Sequence, residues 1–429
     1  MRLNAPVSLA LLAGPEIPLR VPFQSGNDGD LPLVTPDALR ALITTDHLLG
    51  GSQVLEDLAY STPERNRVFA SPAHNATVNF LYDTLAAYGN YYSVSYQPFL
   101  ALYLGGNASL TVGGANQDAR LMAFTPPVKH LIHRSWSQAA GQALVDAIAG
   151  GAEVLGNLIV NSILQWRTTY NVIAQTRGGN QDNVLVLGGH SDSVEAGPGI
   201  NDNGCGSIAI LDVAIALTSF SVNNAVRFCW WSAEESMLQG SFHYVSSLEP
   251  VELAKIRLYL NFDMIASPNY IYGIYDGDGS RCGRPGPSGS AEIEALFEQY
   301  FAEEGLNYTA TRFGNSDNIA FTSSNIPAGG VFTGASRIKT EEEFAAFGGQ
   351  AGVAYDKNYH GPGDNVTNLN MGAFQVNTEA IAYAVATYAT SFDSLPPRDV
   401  PVEKRWDPEE ENLRSRRTGR INGRDVVER

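Results

Sequence analysis

The period of the apolar residues changes along this chain of 429 residues. Between residues 35 and 90 they recur at helical spacing: Leu39, Leu42 and Ile43, then Phe80, Leu81 and Leu85. That spacing predicts two helices. Residues 94–180 have another texture, with short β-like runs at 109–112 and 157–160 and a helical piece at 139–149. From residue 183 strands alternate with helices. Asn183-Val-Leu-Val-Leu-Gly-Gly is an unbroken apolar run ending in glycines, the habit of a central strand buried on both faces. Further strands are predicted over 225–231, 257–261 and 326–332, and helices over 205–220, 291–304 and 373–392. The alternation predicts an α/β sandwich around a largely parallel sheet.

The ends of the chain differ from its middle. Residues 14–34 are rich in Pro and Gly and read as a loose leader. Met1-Arg2 followed by apolar Ala5–Ala13 is similar to a signal peptide, although Pro6 interrupts it. Residues 396–429 are charged, Pro-bearing and aperiodic, and are expected to be disordered. The net charge of −17 lies almost wholly in the body, since the tail holds nine Lys/Arg and eight Asp/Glu. Such an acidic body disfavours nucleic acid and anionic membrane as partners. No apolar run reaches the roughly 18–20 residues of a bilayer span. Three cysteines, Cys205, Cys229 and Cys282, form no disulfide framework, and no bridge is assigned. Sequons at Asn75, Asn107, Asn307 and Asn365 fit a secretory route and glycosylation.

The chemistry gathers where predicted strands end. The first strand runs into Gly189-His190-Ser191-Asp192, the second into Ser232-Ala233-Glu234-Glu235, the third into Asn261-Phe262-Asp263. In open α/β sheets ligands sit beyond the carboxyl ends of the strands. The loop Gly199-Ile200-Asn201-Asp202-Asn203-Gly204 carries Asp202 over the same edge, and Tyr359-His360 lies in a late Gly/Pro-containing loop. Imidazole nitrogen and carboxylate oxygen suit zinc. Two His and three carboxylates fit a pair of ions with one carboxylate bridging. Metals about 3.5–4 Å apart can activate water and stabilise an oxyanion. Of the adjacent Glu234 and Glu235, one can bind metal while the other moves the proton.

These residues, in this order, resemble the co-catalytic zinc aminopeptidases of metallopeptidase family twenty-eight, which include fungal vacuolar aminopeptidase Y and leucine aminopeptidase types. The resemblance covers most of residues 35–392. It implies a three-layer α/β sandwich around a mixed, largely parallel central sheet, the zinc exopeptidase fold. It also implies two zinc ions per chain, one taken by His190, Asp202 and Asp263, the other by Asp202, Glu235 and His360. Glu234 would be the general base. Asp192 would orient His190, and Tyr359 would donate to the oxyanion. The Asp202–Asn203 peptide would be cis. The substrates would be peptides with a free N-terminus, and the location secreted or vacuolar. Oligomeric state is not legible.

The departures are local. Asn315 and Asn318 stand where relatives often carry Arg and Tyr, beside a substrate-side loop at Phe313-Gly-Asn-Ser316-Asp317. Asn358 and Gly363 occupy the places of a cysteine pair that flanks Tyr-His in some relatives. The fungal relatives also carry a protease-associated insert, of which only the start and end are recognisable here. The expected division is a leader over 1–34, a peptidase domain over 35–98 and 165–395, a remnant of a small β-rich insert over 99–164, and a tail over 396–429. His130, His133 and His243 are expected to have no metal role, and Phe262, Trp230 and Trp231 to be core. The rival readings are a glutaminyl cyclase or carboxypeptidase on the same fold, and a binding module without catalysis. Cyclase-like relatives carry Ser-Ala after the bridging Asp, whereas this chain has Asn203-Gly204.

Overall fold

A computed structural model describes residues 31–112, 115–117, 120–121, 134–135, 138–151, 156–314 and 316–397. The expected signal segment, most of the charged tail, His130, His133 and Asn315 lie outside these residues.

Three helices open the chain, not two: α1 Pro36–Arg40, α2 Thr45–Tyr60 and α3 Pro72–Ala86. Each begins at a hydroxyl side chain, of Thr35, Thr44 and Ser71, that accepts a backbone N–H three residues on. Residues 31–34, expected in the leader, lie against the body: Val34 is buried and its N–H bonds to Ser221 O at 3.0 Å.

The strands are β1 Tyr92–Val112, β2 Ala115–Gln117, β3 Arg120–Leu121, β4 Arg134–Ser135, β5 Gly156–Thr176, β6 Asn180–His190, β7 Asn224–Trp231, β8 Ile256–Phe262, β9 Gly273–Tyr275, β10 Thr309–Thr311 and β11 Ala328–Phe332. Nine form one mixed sheet in the order β10-β9-β11-β8-β6-β7-β5-β1-β2, while β3 and β4 pair apart. The centre, β11-β8-β6-β7, is parallel. The remaining helices are α4 Gln138–Ala149, α5 Cys205–Leu217, α6 Gln239–Ser247, α7 Pro250–Lys255, α8 Ser290–Glu303, α9 Asn318–Thr322, α10 Glu341–Phe347 and α11 Met371–Thr390.

Both faces of the central strands are covered. Leu185, Leu187, Phe228, Trp230, Leu260 and Phe262 enter a core with α5 and α11. The alternate residues Val184, Val186, Cys229, Trp231 and Tyr259 enter a second core on the opposite face, where Phe321 stacks on Tyr259 at 3.7 Å. Burial on both faces is the reason these strands read as continuous apolar runs. Two helix-sheet interfaces on one sheet make three layers, as the family resemblance implied.

The helical stretch Ile200–Leu217 is the one part of the described chain that approaches a span by composition. It is long and apolar enough by composition to cross a membrane, with mean hydropathy 1.2, but it is entirely buried within the fold. The largest surprise is in the middle of the chain. β1 and β5 are each 21 residues long and pair antiparallel along their full length, Tyr92 with Thr176 through to Val112 with Gly156. They run without a break through the expected insert boundaries at 98/99 and 164/165. Their outer part leaves Leu100, Ile159, Ile163, Leu164 and Trp166 exposed.

Candidate active site

Parallel pairing brings the key strand ends level. His190 pairs with Trp231, and Gly188 with Asn261 two residues before Asp263. The chain must turn tightly past this edge. A Cβ at Gly189 would lie 2.6 Å from Phe262 O. Gly199, with φ +66°, passes so close to Asp202 O that a Cβ there would stand 2.4 Å away. The Asp202–Asn203 peptide is cis, as the resemblance implied.

Four carboxylates and two imidazoles meet there. His190 Nε2 lies 3.1 Å from Asp202 Oδ1, 3.5 Å from Asp263 Oδ1 and 4.0 Å from Glu234 Oε2. His360 Nε2 lies 3.1 Å from Asp202 Oδ2 and 3.1 Å from Glu235 Oε2. Asp202 therefore turns one oxygen toward each imidazole. His190 and Asp202 are buried, whereas the His360 side chain is 39% exposed and faces solvent.

The group fits a pair of metal ions on its own chemistry. Zinc bonds these donors at about 2.0–2.2 Å in tetrahedral sites, so two donors of one ion stand roughly 3.3 Å apart. The four separations of 3.1, 3.5, 3.1 and 3.1 Å straddle that value. Asp263 Oδ1 and Glu235 Oε1 are buried without a hydrogen-bond partner, a costly condition unless a cation meets them. Glu234 lies farthest from His190 of the three carboxylates around its Nε2.

Local fields follow from this crowding. Burial acts to raise Asp202, but hydrogen bonds from His190 and His360 hold it well below the carboxylate range. Burial and then neighbouring Asp202 push Glu235 up to about 7. Burial raises Glu234 well above the usual range, against the pull of His190. For His360, burial acts downward, but hydrogen bonds to Asp202 and Glu235 carry it up to about 10. Burial and then the Asp202, Glu235, Asp263 and Glu234 charges raise Tyr359, so its phenol keeps its proton. Its ring stacks on His360 at 3.9 Å.

Asp192 meets His190 through both its backbone carbonyl and its carboxylate. His190 Nδ1 is 3.2 Å from the Asp192 backbone carbonyl and 3.7 Å from its carboxylate. A carbonyl oxygen only accepts, so Nδ1 carries the proton and Nε2 faces the acids. The Asp192 carboxylate accepts the Glu234 N–H at 3.1 Å, tying the end of β6 to the turn after β7.

Three supporting residues escaped the sequence reading. Arg67 is wholly buried and donates to the carbonyls of Pro198 at 2.9 Å, Gly199 at 2.5 Å and Ser191. Burial lowers its guanidinium to about 10, opposed by Asp192, Asp364, Asp202 and Glu235, so it stays charged at neutral pH. His74 Nδ1 accepts the Ala70 N–H at 3.4 Å, leaving Nε2 to donate to Ser191 Oγ at 3.0 Å. Burial holds this imidazole down to about 4, hence neutral. Asp364 accepts from the backbone of the Asp202 loop. A signal did exist, because buried Arg, His and Asp are rare without a partner, but burial is not visible before folding.

The other predicted positions fall as follows. Trp230, Trp231 and Phe262 are fully buried core. His243 stacks on Phe99 at 4.9 Å. Asn318 is buried beside Tyr275. Asn358 and Gly363 face each other: a Cβ at Gly363 would lie 2.4 Å from Asn358 Oδ1. Cys205, Cys229 and Cys282 are free. Asn75 and Asn307 are exposed, the Asn307 amide donating to Ala346 O at 2.8 Å. Asn365 is half-buried, its Oδ1 accepting from Thr367, and Asn107 lies within β1.

Known proteins share this arrangement of chain and fold. The chain is 47% identical over 444 residues to "Probable leucine aminopeptidase 2" of Aspergillus fumigatus, covering 86% of this chain and 88% of that one. It is 43% identical over 440 residues to "Leucine aminopeptidase 2" of Arthroderma otae, with the same coverage. The first alignment spans 444 positions but takes in 86% of 429 residues, so roughly 75 positions of it have no counterpart here. Among solved structures, the aminopeptidase of Aneurinibacillus sp. strain AM-1 superposes with TM-score 0.61 at 18% identity, over 86% of this chain and 98% of that one. The zinc aminopeptidase of Bacillus subtilis does so with TM-score 0.59 at 17% identity, over 86% of this chain and all of that one. At those identities the structures speak for the fold alone. The profile of Peptidase family M28 matches residues 171–385, from the last quarter of β5 into α11, and with relatives above 40% identity over most of its length this chain belongs to that family.

Proposed function

We propose that this M28 peptidase is a metallo-aminopeptidase that removes N-terminal residues from peptides, using two zinc ions held by His190, Asp202, Glu235, Asp263 and His360. The carrying observation is the division of Asp202, with Oδ1 beside His190 and Oδ2 beside His360. The cluster's excess of carboxylate over permanent cation supports divalent ions as its counter-charge. Bound there, zinc would supply Lewis acidity, acidifying water and polarising the scissile carbonyl.

The protein's own groups carry the protons. Glu234, raised by burial, accepts a proton from the attacking water and returns it to the leaving amine. Asp192 holds the backbone beneath Glu234 through its N–H. Tyr359 keeps its proton and donates a hydrogen bond to the carbonyl oxygen as that oxygen gains negative charge. The acidic surroundings favour a substrate that brings a positive α-amino group, which supports an exopeptidase over an endopeptidase.

The proposal extends to location and domains. A leader-like N-terminus and exposed sequons at Asn75 and Asn307 support a secreted glycoprotein. The roughly 75 alignment positions without a counterpart, and the bare apolar surface along β1 and β5, support an abridged insert within residues 99–164. Two measurements test the central reading. Elemental analysis should find two zinc ions per chain, and none would sink it. Leucyl-anilide should be cleaved and its N-acetylated form spared; equal cleavage of both would remove the exopeptidase claim.

A further inference from the structure

Asp364 lies four residues beyond His360 and is 1% exposed. Its Oδ1 accepts the N–H of Asn201 at 2.8 Å, and its Oδ2 accepts the N–H of Asp202 at 3.0 Å. Its backbone carbonyl takes the N–H of Ile200 at 3.0 Å. Three successive amides of one loop are thus held by a single residue of another. The two loops also approach closely nearby, since a Cβ at Gly197 would stand 2.1 Å from Gly361 O. Asp364 is steadied in turn by Asn368, whose Nδ2 donates to it at 3.3 Å and to Asp356 at 2.8 Å.

The consequence is a closed ring. Asp202 presents its carboxylate to His360 Nε2 at 3.1 Å, and its own N–H is held by the residue four places after that imidazole. The separation of His360 from Asp202 is therefore set at both ends of a short loop. His360 faces one oxygen of Asp202 and one of Glu235, so the constraint bears first on the position these three form and reaches the other position only through Asp202 itself. We propose that Asp364 is a positioning residue that sets the His360–Asp202 spacing and thereby the affinity of the second metal position, formed by Asp202, Glu235 and His360, without touching metal or substrate. This rests on the two-zinc reading above.

The variant Asp364→Asn is nearly isosteric but replaces one acceptor by an NH2 group. One of two backbone N–H groups then meets a donor. Partners behind metal ligands are typically worth about 10–100-fold in metal affinity or activity. Zinc titration of the chelator-treated full chain should show two sites in the parent. In Asp364→Asn one site should weaken about 10–100-fold and the other, which shares only Asp202 with it, by clearly less. Cobalt substitution, followed by visible absorption, reads the two positions separately. A merely structural role would weaken both sites equally or neither. Should Asp364→Asn not fold, Asn368→Ala removes a support of Asp364 and should weaken the same site selectively. Two sites with parental affinities in the folded variant would overturn the proposal. A parent that binds no zinc would instead overturn the two-zinc reading.

Discussion

Replacing Arg67 by Met tests how the loops that carry His190 and Asp202 are held. The side chain is fully buried, and its guanidinium reaches three carbonyls of two loop segments, Ser191 on one and Pro198 and Gly199 on the other. Methionine fills much of the volume but donates nothing. Three buried carbonyls would lose a charged donor, and Asp192, Asp364, Asp202 and Glu235 would lose a permanent cation that interacts with them. Removing one partner of such a buried charged network costs about 3–5 kcal/mol. At about 2.1 cal/mol/K of unfolding entropy per residue, a body of about 365 residues loses roughly 1.3 °C of melting temperature per kcal/mol, so the fall should be about 4–7 °C.

Calorimetry of the chelator-treated protein is the appropriate assay, because metal binding would mask part of the loss. Arg67→Lys is the informative companion. Lysine keeps the charge but, as a point donor, cannot span acceptors on both segments. It should recover only part of the loss. Melting of Arg67→Met within 2 °C of the parent would refute the clamp, and full recovery by lysine would show that charge alone matters.

Three further outcomes are expected. Glu234→Gln should keep its zinc and lose about 10²–10⁴-fold in kcat; loss of zinc would make Glu234 a ligand instead. Tyr359→Phe should lower kcat about 100-fold with little change in KM, because its hydrogen bond strengthens only as the oxyanion forms; a kcat within twofold of the parent would remove that role. In the metal-free protein His360 is raised to about 10, so at pH 8 it holds a proton that zinc must displace. Zinc affinity should therefore rise with pH toward 10 and fall in acid, where Glu235, at about 7, takes up a further proton. Titration calorimetry in buffers of different ionisation heat should show the release at pH 8, and a heat independent of buffer would contradict it.

What could be read before folding, and what could not, divides along physical lines. The strands that carry His190, Glu234-Glu235 and Asp263 are buried on both faces, so they announce themselves as apolar runs with polar residues at their ends. The long β1–β5 pair did not. Pro98 and Gly105-Gly106 break the alternation of β1, and the outer part of both strands lacks a core to impose one. Helix count failed at Thr44, where a cap begins a new helix inside what reads as one periodic stretch.

The polar supports were hidden for a different reason. Arg67 is 124 residues from Ser191, His74 is 117 from Ser191, and Asp364 is 162 from Asp202. Each satisfies backbone or hydroxyl groups in turns, and those groups have no side-chain signature to pair with. A metal ligand is legible because its own chemistry is unusual. A residue that holds a ligand's backbone is legible only once the turn exists. Asp192 shows the boundary within one residue: the resemblance implied its place beside His190, yet only the fold shows that its carbonyl also meets the imidazole and that its carboxylate takes the Glu234 N–H. The donors around Asp202 are thus half of the design, and the buried ties that keep His190 and His360 about the same distance from its two oxygens are the other half.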